Sequence, residues 1–133
     1  STVTNKGQMR SKIFDGALNA NILIDFLRRL IKGATKKVFL ILDNLRVHHA
    51  KPVKAWLAGH ADAIEVFYLP SYSPELNPDE MANADIKQGV TTRAPARTKL
   101  HLVRATARHL RSVQRQPERV CKYFEHEPVR YAA

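Results

Sequence analysis

Along residues 19–32 (NANILIDFLRRLIK), Ile22, Leu23, Phe26, Leu27, Leu30 and Ile31 recur three and four positions apart. That spacing predicts an amphipathic helix with one buried stripe. Asn19 or Asn21 can cap its start and Gly33 can end it, while Asp25, Arg28, Arg29 and Lys32 take the wet face. The period changes at residues 37–43 (KVFLILD), a short β-branched and aromatic run that reads as a central strand apolar on both faces. Pro52 suits the first turn of a helix that Gly59 stops, with Val53, Trp56 and Leu57 facing inward. A second strand follows at 63–69 (AIEVFYL), and Pro70-Ser71-Tyr72-Ser73-Pro74 is a loop. Asn77 can then be an N-cap, with Pro78 first and Glu80 third in a helix that runs to about Gln88 and stops at Gly89. After a Pro- and Arg-containing link at 91–97, a longer helix spans 98–115 with Leu100, Val103, Ala107 and Leu110 as its apolar side. Pro117 opens a last short helix around Val120, Cys121 and Phe124. The first fifteen residues read as two short strands around Asn5-Lys6-Gly7. The order β-β-α-β-α-β-α-α-α is that of a mixed α/β chain.

Composition bounds this picture. With 133 residues, 44% of them hydrophobic, the chain suits one domain with a real core. No apolar run reaches the ~18 residues of a membrane span. The chain opens at Ser1 without an initiator methionine, as an excised or truncated piece does. The single cysteine, Cys121, excludes an internal disulfide framework and a cysteine-based zinc site, and suits a reducing compartment.

Charge changes the picture more. The formal net charge is +10 and it is unevenly placed. Residues 1–86 carry 11 basic and 9 acidic side chains; residues 87–133 carry 11 basic and only 3 acidic. A positive field of that kind attracts polyanions, nucleic acid first among them. Arg104, Arg108, Arg111 and Arg115 line one face of the long helix, and Lys99 extends the row. Arginine forks suit phosphates; a solvated helix face is the plainer alternative.

Two acids have placements that suit chemistry. Asp43 ends an apolar strand and Glu80 starts a helix after the next strand. Carboxylates at one sheet end suit a divalent cation such as Mg²⁺, and paired cations suit phosphoryl transfer. Asp43 could instead turn the chain with Asn44, and Glu80 could complete a capping box with Asn77. His48 and His49 follow Asp43 closely. Neighbouring rings diverge, so one could lie over the site while the other faces solvent.

The strings LILDNLRVHHAKPVKAWL (40–57), FYLPSYSPELNPDE (67–80) and DIK (85–87) resemble the DDE transposases of bacterial insertion sequences, in the branch related to mariner-like elements. Asp43, Asn44, His48, the run from Leu69 to Pro78, Glu80 and Lys87 match that pattern position by position. The resemblance implies a ribonuclease-H-like α/β fold that cuts and joins DNA with two Mg²⁺ or Mn²⁺ ions. It implies that Asp43 and Glu80 are the second and third catalytic acids and metal ligands, that Asn44 and His48 support them, and that Lys87, Lys99 and the Arg row hold DNA backbone. Asp79 stands beside Glu80 as a possible substitute, but the register favours Glu80. Asn83 stands near where many members carry Trp.

The family's first acid lies on a strand upstream of the segment resembling residues 1–7, and no acid precedes Asp15 here. The resemblance therefore implies one truncated catalytic domain over residues 1–133, with a basic helical tail from about residue 90 and a metal site weak or absent by itself. The alternative is a DNA-binding remnant without catalysis. A structure-selective nuclease of the same fold is a third reading, against which the Tyr-Ser-Pro-Glu-Leu-Asn-Pro run argues. The missing strand would leave an apolar edge at 37–43. It predicts either direct pairing of that edge with residues 1–6 or a homodimer that fills the gap. The resemblance also places the protein in the bacterial cytoplasm.

Overall fold

The computed structural model describes residues 1–91 and 97–133, so most of the expected Pro- and Arg-containing link lies outside the described residues. In chain order the elements are β1 (Thr2–Val3), β2 (Met9–Arg10), α1 (Ala20–Lys32), β3 (Val38–Leu42), α2 (Lys51–Ala58), β4 (Ile64–Tyr68), α3 (Asp79–Thr91), α4 (Lys99–Gln114) and α5 (Pro117–Lys122). Short 3-10 turns cover Arg46–His49, Pro74–Leu76 and Glu127–Ala132. The order is the mixed α/β order the pattern predicts. These elements form two units: a central one, Phe14–Pro74, and a composite one made of Ser1–Ile13 with Glu75–Ala133.

The central unit is a β-α-β crossover with α1 packed beside it. Asn19 Oδ1 accepts the Ile22 N–H at 2.9 Å, and the Gly33 N–H closes α1 on the Arg29 carbonyl. Leu23 and Leu27 of α1 are buried with Leu40, Val53 and Ile64. β3 and β4 run parallel, in register from Val38 opposite Ile64 to Leu42 opposite Tyr68. The expected two-faced burial of β3 is not found: Leu40 is buried, but Phe39 and Ile41 alternate to the exposed face beside Phe67. Nor is β3 central, since each sheet has two strands among the described residues, β1 with β2 and β3 with β4. The expected pairing of residues 1–6 with 37–43 is not formed. β1 is two residues long and takes its ladder from β2.

In the composite unit the hairpin turns at Gly7, whose φ of +86° favours glycine. A Cβ there would also meet the Pro117 carbonyl oxygen at 2.5 Å. Met9, Ala82, Leu110, Val113, Val120, Tyr123 and Phe124 form the core. Two expectations change. The apolar side of α4 lies toward its C-terminal half: Leu110 and Val113 are buried, whereas Leu100 and Val103 are exposed. α3 does not stop at Gly89 but continues to Thr91. A Cβ on Gly89 would lie 2.8 Å from His109 Nε2 and closer still to Cε1 and Nδ1 of that ring. The glycine lets an imidazole pack on the helix; it does not end it. No helix among the described residues is long and apolar enough to cross a membrane.

Candidate active site

Asp43 is the first residue past β3, at the carboxyl end of a parallel pair, where open α/β sheets place their ligands. It is half-buried. Its backbone carbonyl accepts a hydrogen bond from His48 Nδ1 at 2.6 Å. A carbonyl only accepts, so Nδ1 carries the proton. His48 is the one buried polar side chain in the described core, and it ties the 3-10 turn back to the acid.

His49 points elsewhere. Its ring stacks on Tyr68 with centroids 4.1 Å apart, and its Nε2 bonds Asn44 Oδ1. The Asn44 amide donates to Ser71 Oγ at 2.9 Å, and the Tyr68 hydroxyl donates to the His48 carbonyl at 3.0 Å. Asn44 thus joins the loop after β3 to the loop after β4. Sequence reasoning missed Tyr68 and Ser71. The signal was available for Tyr68, because parallel strands at 37–43 and 63–69 bring it opposite Leu42 at the end of the sheet.

Glu80 lies in the composite unit. Asn77 Oδ1 accepts the Asp79 N–H at 3.0 Å, which starts α3 with Asp79 and Glu80 in its first turn. Glu80 is exposed, while the neighbouring Asp79 carboxylate accepts the Ser1 hydroxyl at 2.7 Å. Farther along α3, Asp85 is a hub. Arg119 Nε donates to its Oδ2 at 2.8 Å, a second guanidinium nitrogen bonds Oδ1, and the Tyr123 hydroxyl donates to Oδ2. His109 Nε2 lies 3.3 Å from Oδ1 but finds no hydrogen-bond partner among the described residues. Burial alone would raise the Asp85 carboxyl. The hydrogen bonds from Arg119 and Tyr123 and the nearby Arg119 and His109 charges outweigh it and hold Asp85 below the usual carboxylate range. The same hub, burial first and the Asp85 bond second, holds the Tyr123 phenol well above its ordinary value. Arg119 is raised by its bond to Asp85. Glu80 therefore stands on a helix whose rotation is fixed from behind by charge-assisted bonds.

Lys87 is exposed on α3; Lys99, Arg104, Arg108 and Arg111 are exposed on α4, and Arg115 caps its end. Thr98 Oγ1 accepts the His101 N–H at 3.1 Å and starts α4. Asp43 and Glu80 offer hard carboxylate oxygens of the kind a divalent cation takes while keeping waters. Within neither unit do three or more His, Cys, Asp or Glu side chains gather among the described residues. The two acids fit such an ion as one-carboxylate ligands rather than as parts of a preformed cage.

No curated protein sequence matches the chain. A family model described as DDE superfamily endonuclease matches residues 1–102, a span that includes Asp43, Asn44, His48, Glu80 and Lys87. The mixed α/β architecture with its parallel β3-α2-β4 unit is consistent with the ribonuclease-H-like fold of such enzymes, and membership implies a nuclease whose substrate is DNA. On that match over most of its length, the chain belongs to the DDE superfamily endonucleases.

Proposed function

We propose that this chain is part of the catalytic domain of a transposase that cuts and joins DNA while moving a bacterial insertion sequence, its two units together forming that domain. The observation that carries the reading is Asp43 at the carboxyl end of a parallel strand within a DDE endonuclease match that also spans Glu80. Asp43 and Glu80 would hold Mg²⁺ or Mn²⁺, which supplies charge stabilisation for the attacking and leaving oxygens of a phosphodiester. His48 holds the Asp43 backbone, and Asn44 holds the loop beside it. Lys87, Lys99 and the arginines of α4 neutralise DNA phosphates.

Paramagnetic Mn²⁺ tests the acids. Added to isotope-labelled protein, it should broaden the amide signals of Asp43, Asn44 and Glu80 at the same concentration, and Asp43→Asn should abolish the effect at all three. Broadening confined to one acid refutes the shared site. The basic row is tested by salt. Arg108→Ala with Arg111→Ala should flatten the plot of log K against log salt by roughly one to two units. An unchanged slope returns the row to a solvated face.

A further inference from the structure

Tyr72 is at odds with ordinary folding energetics. It is the one non-glycine residue with positive φ among the described residues, at +56°, and the residue is fully exposed. A bulky side chain in the left-handed region is strained. A fully exposed ring gains no burial in return. Gly or Asn would sit here with less strain. The loop is nevertheless held firmly. Pro70 and Pro74 bracket it, and the Leu69 N–H bonds the Leu42 carbonyl at 2.8 Å. Ser71 Oγ accepts from Asn44 at 2.9 Å, and Ser73 Oγ donates to the Ser71 carbonyl at 3.3 Å. Asn44 directly follows Asp43. The ring therefore projects from a pinned loop, one residue from a side chain that touches the neighbour of the candidate acid. The loop after β3 adds exposed Leu45 and Arg46 at the same end of the sheet.

We propose that Tyr72 is a stacking platform for an unpaired nucleobase of the DNA strand held at the Asp43 end of the sheet. The proposal rests on the reading of the chain as a DNA-acting enzyme and adds a ligand contact to it. Every base has a π-face, so a flat aromatic ring takes any of them without reading sequence, and a neighbouring arginine suits the adjoining phosphate. A solvent-facing ring on a backbone already tied in place needs no ordering of the loop when a base settles on it. Strain maintained in a loop that packing does not need is what a binding role explains.

The test uses the whole chain with a single-stranded oligonucleotide of about 15 nucleotides carrying 2-aminopurine, and with the same sequence as a blunt duplex. Tyr72→Phe keeps the ring. Tyr72→Asn removes it but suits the left-handed backbone, so its melting temperature should be unchanged or higher. The wild type and Tyr72→Phe should change the 2-aminopurine emission and bind alike. Tyr72→Asn should bind the single strand about tenfold more weakly and the duplex nearly as before. Equal single-strand affinity for wild type and Tyr72→Asn, with salt-sensitive duplex binding intact, overturns the platform and leaves the DNA reading standing. A wild type that binds neither probe overturns both. If Tyr72→Asn alters only the sedimentation of the protein, the ring belongs to self-association and the proposal fails.

Discussion

The central and composite units keep their elements in place by different means. Residues 14–74 rely on aliphatic burial: Leu23, Leu27, Leu40, Val53 and Ile64 meet between α1, α2 and the parallel pair. Outside that core, a cluster of polar ties gathers at the carboxyl ends of the strands, among Asp43, Asn44, His48, His49, Tyr68 and Ser71. The composite unit has a hairpin of two-residue strands and three helices. Beside its apolar core it carries the Asp85 hub, which bonds α3 to Arg119 of α5 and to Tyr123. Apolar burial is non-directional and decides which faces meet. A parallel strand pair supplies its own register through its ladder. Helices have no such ladder between them, and a charge-assisted, directional contact fixes their rotation. The two acids are thus set by different physics, Asp43 by strand register and Glu80 by the hub behind its helix.

Substitutions should separate these modes. Leu27→Ala removes a fully buried side chain and should cost about 3 to 4 kcal/mol in denaturant unfolding. Asp85→Asn keeps the shape but leaves Arg119 and Tyr123 without their charged acceptor, and should cost about 2 to 3 kcal/mol. Hydrogen exchange gives the sharper readout. Asp85→Asn should lower protection in α3 and α4 while β3 and β4 keep theirs. Equal loss in both units would break the distinction. Acid adds a sign. The Asp85 pKa is depressed on folding, so its contribution is full above the usual carboxylate pKa of about 3.9 and is lost as pH falls through the folded value. The wild type should lose stability over that acid window, and Asp85→Asn should lose less. The raised Tyr123 works oppositely: its contribution is present below the usual tyrosine pKa and lost as pH rises beyond it.

The order and type of the elements were legible in the sequence because period and caps are local. Asn19, Gly33, Pro52 and Pro117 mark element ends where expected. The placement of Asp43 past a strand and of Glu80 in the first turn of a helix was legible through the Asp-Asn and Asn-Pro-Asp-Glu strings, since each stands at an element boundary. The partners around them were not. Ser71 meets Asn44 across 27 residues, and Asp85 meets Arg119 across 34. Single-sequence periodicity carries no information on pairs so far apart. Burial was also misplaced on α4, because Leu100 and Val103 satisfy the helical spacing but lie on a turn that the core does not reach. Period identifies a face; it does not say how far along the helix a neighbour extends.

Gly89 yields the smallest effect, one whose sign separates a local reading from a tertiary one. By local rules a glycine inside a helix should be improved by alanine, with a gain of about 1 kcal/mol. Here the new methyl would run into the His109 ring, which is largely buried between Gly89 and Asp85. The imidazole would have to leave the hub or α3 would have to move from α4, and overpacking of this kind costs about 1 to 2 kcal/mol. Gly89→Ala should therefore lower the melting temperature. Combining it with His109→Ala, which empties the space, should recover the helix gain, so the pair should be strongly non-additive. If Gly89→Ala stabilises the wild type, the glycine is only a weak helix position and the close approach of His109 is not holding the two helices together.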